Sequence, residues 1–385
     1  MSRKLLVQVN CSFDLYICTA LVIDKDNKLN ADLLIPYKLS PYLPDYIRKS
    51  YDKIILFDPT IRNLFSIKAL LSTFKIKKWA KSYCKDYQVV LFGAYRSDIT
   101  SVLVKSFFGK VNFLTIKQGV DKPKSFYKPY KSLRELHDDI YYKLFGFSSF
   151  SRERFVQDSS CSAKSDFLFM RPLWKRDPFI REKNVFTLGT GKTDLRDGTQ
   201  FFIPNFINIK KMISSTRRNG ILLIGERTPM TPSWGQDQDI LIKKIFSLLA
   251  KFSNQEQIFV RGRKGLTNNN FYSDLNPIYL DPDQLFDDQL LKLNPRLVIS
   301  VKSTATKCAA FYGYPAYILY PSLNFENAEC KHLDYLFGDG SPVCRIDSLG
   351  KLAEILGRAK SHYPESETIE TASKSEIFKF LENNS

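Results

Sequence analysis

What most constrains the fold of this chain is an alternation of short apolar runs with longer helical patterns, repeated on both sides of an irregular middle stretch. Runs at 5–9, 33–36, 54–57, 89–92 and 111–116 read as strands, with helical patterns at 61–81, 98–108 and 133–144. After residue 200 the pattern returns: strands at 220–224, 257–261, 278–280, 297–301 and 316–320, and helices at 238–252, 283–293 and 303–312. Strands separated by helices at crossover length predict parallel sheets built from βαβ units. The fold class expected is α/β, two Rossmann-like lobes with a cleft between them. Residues 1–170 form the first domain, 200–365 the second and 366–385 a helical tail. The boundary falls between Arg171 and Arg218, where Pro, Gly and Asp are frequent.

A chain of 385 residues with 44% hydrophobic and 25% charged residues can bury a core in each half. No apolar run approaches the ~20 residues needed to span a bilayer, and the N-terminal run is too short for a signal-peptide core. The expected location is the cytoplasm, with peripheral contact at a membrane left open. Seven cysteines without a Cys-x-x-Cys pair and three histidines without ligand spacing give no disulfide framework and no metal site. A net charge of +17 favours an anionic partner, whether a nucleotide, an acidic glycan, an anionic membrane surface or nucleic acid, although basic residues spread along the chain are equally those of a solvated surface. No RNA-recognition, zinc-finger or helix-turn-helix pattern supports nucleic acid.

In a doubly wound sheet ligands bind beyond the carboxyl ends of the strands. Four strand exits therefore carry the chemistry. Ser303 and Thr304 follow the 297–301 strand and open a helix, where they either donate to a phosphate or simply cap the helix. Arg261, Arg263 and Lys264 leave the 257–261 strand among two glycines, a cation cluster suited to a diphosphate or to a solvated turn. Asp281, Asp283 and Gln284 precede a helix and are placed for ribose hydroxyls or for helix-start capping. Gln118 and Asp121 leave the last strand of the first half, where a carboxylate could act as base. The Gly189–Thr193 stretch looks like the end of a phosphate-binding P-loop, but Phe186 stands where that loop needs glycine.

The order of these motifs, with Ser300-Val301-Lys302-Ser303-Thr304-Ala305 as its specific part, resembles the bacterial sialyltransferase and polysialyltransferase glycosyltransferases. The resemblance covers roughly 116–321. It implies a two-lobed GT-B architecture and a nucleotide-activated sugar as substrate, CMP-linked in that family, with no separate cofactor. It implies transfer of sialic acid or a related acidic sugar to a cell-surface glycan acceptor. In that reading Arg261, Arg263, Lys264, Gln284, Ser303 and Thr304 bind the nucleotide, and Asp121 with Gln118 serves the acceptor. The chain departs from the family where an acidic pair and a His-Pro pair are replaced by Lys117-Gln118 and Gly262-Arg263, and where Gln284 stands for a glutamate. Those departures leave a second expectation: a non-catalytic nucleotide- or glycan-binding relative of the same fold.

Overall fold

The computed structural model describes residues 4–9, 11–23, 30–57, 67–83, 86–92, 112–117, 185–188, 199–202, 207–213, 220–225, 236–253, 256–262, 269–323 and, in pieces, 325–357. They fall in two units, each with its own parallel sheet. Within the described residues the division lies between Asn208 and Ile209, inside the short helix α4 (Ile207–Met212).

Unit 1 runs β1 (Lys4–Gln8), α1 (Ser12–Val22), β2 (Ala31–Pro36), α2 (Asp45–Arg48), β3 (Lys53–Phe57), α3 (Ile67–Tyr83), β4 (Tyr87–Phe92), β5 (Asn112–Lys117), β6 (Val185–Leu188) and β7 (Thr199–Phe202). The sheet order is β3-β2-β1-β4-β5-β6-β7, with every neighbouring pair parallel. Its first six strands have the doubly wound order, which reverses direction between β1 and β4. At the amino ends of the strands the buried Asp32 carboxylate accepts from the Tyr87 hydroxyl at 2.6 Å and pairs with Lys4 at 2.9 Å, so three strands share one polar anchor.

Helix α1 is buried from Phe13 to Val22, so it has no polar face to show in a periodic pattern. Its few polar groups find partners inside. The Thr19 hydroxyl donates to the Leu15 carbonyl at 2.7 Å and meets the Tyr51 hydroxyl at 3.0 Å. Burial, with Asp14 and Cys11 nearby, pushes the Cys18 thiol well above its usual pKa, which keeps it neutral.

Unit 2 continues with β8 (Ile221–Ile224), α5 (Gln236–Ser253), β9 (Ile258–Arg261), a 3₁₀ segment (Asn269–Leu275), β10 (Ile278–Leu280), α6 (Phe286–Leu293), β11 (Leu297–Ser300), α7 (Thr304–Phe311), β12 (Ala316–Ile318), β13 (Cys344–Arg345) and α8 (Leu349–Gly357). Its order, β10-β9-β8-β11-β12-β13, is again doubly wound and wholly parallel, with the reversal between β8 and β11. β8 and β11 are buried at every position, as expected for central strands covered on both faces. The chain thus holds two Rossmann-like lobes.

Several elements depart from the sequence reading. α1 and the strands β6 and β7 lie where no regular element was expected, and α6 begins at Phe286 instead of residue 283. The helices expected at 98–108 and 133–144 and the helical tail at 366–385 lie outside the described residues. Among the described residues no helix is long and apolar enough to cross a membrane.

Candidate functional site

In unit 2 the reversal of strand order puts the exits of β8 and β11 side by side, and Ile224 of β8 is in register with Ser300 of β11. Two exits that diverge at a reversal leave room between their loops, which is where such sheets take ligands. β8 leaves through Gly225, whose N–H donates to the Arg261 carbonyl at 2.9 Å. A Cβ at Gly225 would stand 3.1 Å from the Tyr272 hydroxyl, so glycine lets that buried tyrosine reach the strand end.

β11 leaves through a turn pinned by hydroxyls. The Ser300 hydroxyl accepts from the Ser303 N–H at 3.1 Å and lies 2.5 Å from the Thr306 hydroxyl, both Ser300 and Thr306 being buried. Ser303 takes extended dihedrals and its Oγ accepts from the Ala305 N–H at 3.3 Å, the geometry of an N-cap. The capping role is therefore occupied, yet a serine that accepts one bond still has its own O–H to donate. Thr304, the first residue of α7, is exposed. Ser300→Ala is expected to leave the Thr306 hydroxyl and the Ser303 N–H short of a partner. It should lower unfolding free energy by about 1–3 kcal/mol, measured by urea denaturation.

Two lysines flank this helix start. Lys302 is half-buried, with its ammonium 5.0 Å from the centre of the Phe325 ring. Lys307 lies four positions beyond Ser303, one turn along the same helix face, and burial lowers its pKa from the ordinary lysine value while Cys308 opposes the shift. The helix dipole and two ammonium groups make this end of α7 electropositive, although the N–H groups of Ser303, Ala305 and Thr306 are already bonded within the turn.

Arg261, at the exit of β9, is committed within the chain. Its Nε donates to Gln289 Oε1 at 2.6 Å, Nη1 to the Gly262 carbonyl, and Nη2 to the Pro282 and Gln284 carbonyls at 3.1 and 3.0 Å. Gln289 in turn donates to the Asp281 carbonyl at 2.8 Å. Burial lowers the Arg261 pKa, and Asp281, Asp283 and Asp287 oppose the shift. Four of its five donors are thus spent within the chain, two of them on carbonyls of the loop that leads into α6, so Arg261 shapes that loop more than it offers itself to a ligand. The same clamp delays the start of α6, because the Pro282 and Gln284 carbonyls point at the guanidinium. Asp283 sits in a turn capped by the Asp281 carboxylate, which accepts its N–H at 2.8 Å. Gln284 is exposed on that loop.

Arg263 and Lys264 lie outside the described residues, as do Gln118 and Asp121 beyond β5. Sequence reasoning passed over three site residues: Thr306, Lys307 and the buried Asp14. Asp14 is the third residue of α1, just after β1, at the strand reversal of unit 1. The signal available for Thr306 and Lys307 was their spacing from Ser303, and for Asp14 a carboxylate inside an otherwise apolar run. Among the described residues no group of three or more His, Cys, Asp or Glu side chains could hold a metal ion.

With this geometry in hand, the chain can be set beside solved structures. A UDP-GlcNAc 2-epimerase from Neisseria meningitidis, bound to UDP-GlcNAc, superposes with a TM-score of 0.53 at 14% identity, covering 99% of this chain and 100% of that one. The fold is shared. Weaker likenesses are to an E. coli heptosyltransferase with ADP (TM-score 0.45, 12% identity, 99% and 100% covered) and to an α/β-galactoside α-2,3-sialyltransferase from Photobacterium phosphoreum (0.43, 13%, 91% and 100%). No protein family and no curated protein matches the sequence.

Proposed function

We propose that the chain is a glycosyltransferase that binds a nucleotide-activated sugar at the β11–α7 turn of unit 2 and transfers the sugar to a glycan acceptor. The observation that carries this reading is the turn itself: a hydroxyl-pinned strand exit at the sheet's reversal, opening a helix flanked by Lys302 and Lys307. A nucleotide phosphate suits that place, since the helix dipole, the Ser303 and Thr304 hydroxyls and two cations all favour negative charge there. Such fixed donors also stabilise a departing nucleotide phosphate, which gains charge as the glycosidic bond breaks. The sugar nucleotide bound in the Neisseria epimerase, a protein of the same fold, agrees with that substrate class.

The finer reading is a CMP-linked acidic sugar as donor. It rests on the Ser303-Thr304 pair and on the cation-rich exits that also include Arg263 and Lys264. The acceptor hydroxyl must lose a proton, and Asp121, with Gln118 three positions before it in the sequence, is the carboxylate we assign to that step. Among the described residues Asp14 is another carboxylate that follows a strand of unit 1. Its complete burial favours a structural role at the helix N-terminus.

The test is a thermal-shift panel of CMP, UDP, ADP and their sugar conjugates, because a ligand of the folded state raises Tm. Transfer is then read with the best donor. Asp121→Asn is expected to abolish turnover while leaving the donor-induced shift intact. Loss of turnover in Asp14→Asn alone would move the base to α1. Donor binding with no turnover in the unmodified protein would favour the non-catalytic reading that Lys117-Gln118 suggests.

Lys307 adds a pH signature. Its ammonium is lost at lower pH than an ordinary lysine's because burial disfavours the charged form. Nucleotide affinity is therefore expected to fall as pH rises toward the ordinary lysine range, and binding there takes up a proton. Lys307→Met should remove that pH dependence in calorimetric titrations. Without ligand the sign reverses: the depressed lysine pKa makes the folded state gain stability as pH rises through it.

A further inference from the structure

We propose that helix α3 of unit 1 is a docking surface for an anionic lipid membrane. The helix, Ile67–Tyr83, carries Lys68, Lys75, Lys77, Lys78 and Lys81 and not one Asp or Glu. At about 100° per residue, Leu71, Phe74, Lys75, Lys78, Lys81 and Ser82 all fall within one arc of roughly 120°. These six residues are all exposed. Ala80, on the opposite side, is wholly buried, and Trp79 packs beside Tyr87 of β4 at 6.3 Å between ring centres. The orientation of the helix is thereby fixed, with Leu71 at 54% and Phe74 at 42% exposure standing on the same outward stripe as three lysines.

Charge and shape together select the occupant. A basic stripe attracts a negatively charged surface, and exposed Leu and Phe among the lysines supply side chains that can enter the acyl boundary while the ammonium groups stay at the headgroups. A second copy of the chain would bring five more lysines against these five. Nucleic acid would satisfy the lysines but would offer an aliphatic Leu71 at the middle of the stripe nothing to bond. Lys81 has a further reason to be where it is, the negative end of the helix dipole, whereas Lys75 and Lys78 are too far from the helix end for that account.

The proposal stands apart from the nucleotide reading, because it concerns another unit and needs no nucleotide. The test is co-sedimentation of the full-length protein with vesicles of one part phosphatidylglycerol to two parts phosphatidylcholine, beside vesicles of phosphatidylcholine alone. Binding is expected to the anionic vesicles only. The triple change Lys75→Gln, Lys78→Gln and Lys81→Gln should weaken the partition by roughly a hundredfold, from about fivefold per lysine. Leu71→Ser with Phe74→Ser should remove the part of the binding that survives raised salt, with Tm measured on the same protein to separate a loss of docking from a loss of fold. Equal binding to both vesicles, anionic binding unaffected by the triple change, or binding to duplex DNA without binding to vesicles would each overturn the proposal.

Discussion

Arg261→Ala is expected to lower unfolding free energy by about 2–4 kcal/mol and to weaken nucleotide binding about tenfold, although the side chain spends most of its donors inside the protein. Removing it leaves Gln289 Oε1 and the carbonyls of Gly262, Pro282 and Gln284 without the cation they converge on. Hydrogen bonds to a charged group are worth more than neutral ones, but these four share one side chain and their contributions do not add. The loop 281–285 loses its anchor, so Gln284 would sample positions away from the strand exits. Arg261→Lys is the sharper variant. Lysine keeps the charge but cannot reach Gln289 and two loop carbonyls from one planar fork, so it should recover little of the stability. A lysine variant with the stability and affinity of the parent protein would show that charge alone matters and that the clamp does not.

Gly220→Ala should have the largest effect on stability. Gly220 precedes the central strand β8 with φ +48, a region costly for residues with a side chain. An added Cβ would lie 2.0 Å from the Gln257 carbonyl oxygen, which accepts the first hydrogen bond of β8 from the Ile221 N–H at 2.9 Å. Backbone cannot step aside there without breaking the β8–β9 register, so strain and displacement together should cost roughly 2–5 kcal/mol. Chemical denaturation measures it. A loss below that of an ordinary surface substitution would mean that the turn relaxes freely and that β8 is not the rigid centre of its sheet.

The parts of the fold legible in the sequence were those with a strong period or a clear exit. β8, β9, β11 and the long helix α5 follow apolar runs and an amphipathic pattern, and Ser303 before α7 is a recognisable cap. α1 was not legible, because Phe13 to Val22 are buried on every side and the helical period needs a polar face to be seen. The start of α6 was misread for a different reason. Asp283 looks like a helix-start carboxylate locally, yet Arg261, more than twenty positions earlier, holds the Pro282 and Gln284 carbonyls and keeps the segment a turn. A distant side chain overrode local propensity. The site followed the same division. Ser303 was visible as a strand exit, whereas Thr306 and the half-buried Lys307 offered only their spacing from Ser303, which gains meaning once α7 is packed against β11 and Thr306 meets Ser300.

Calorimetric titration of CMP, UDP and ADP into the parent protein and into the double variant Ser303→Ala, Thr304→Ala tests the central claim most directly. The cap makes one effect certain to be mixed in, a stability loss of ~0.5–2 kcal/mol from Ser303, so Tm is measured on the same sample and titrations are run well below it. The account predicts that at least one nucleotide binds the parent protein and that the folded double variant binds it about tenfold more weakly, since two donors to phosphate are gone while the helix dipole and the two lysines remain. Affinity unchanged in a variant with lowered Tm would contradict it, leaving Ser303 as a helix cap and nothing more.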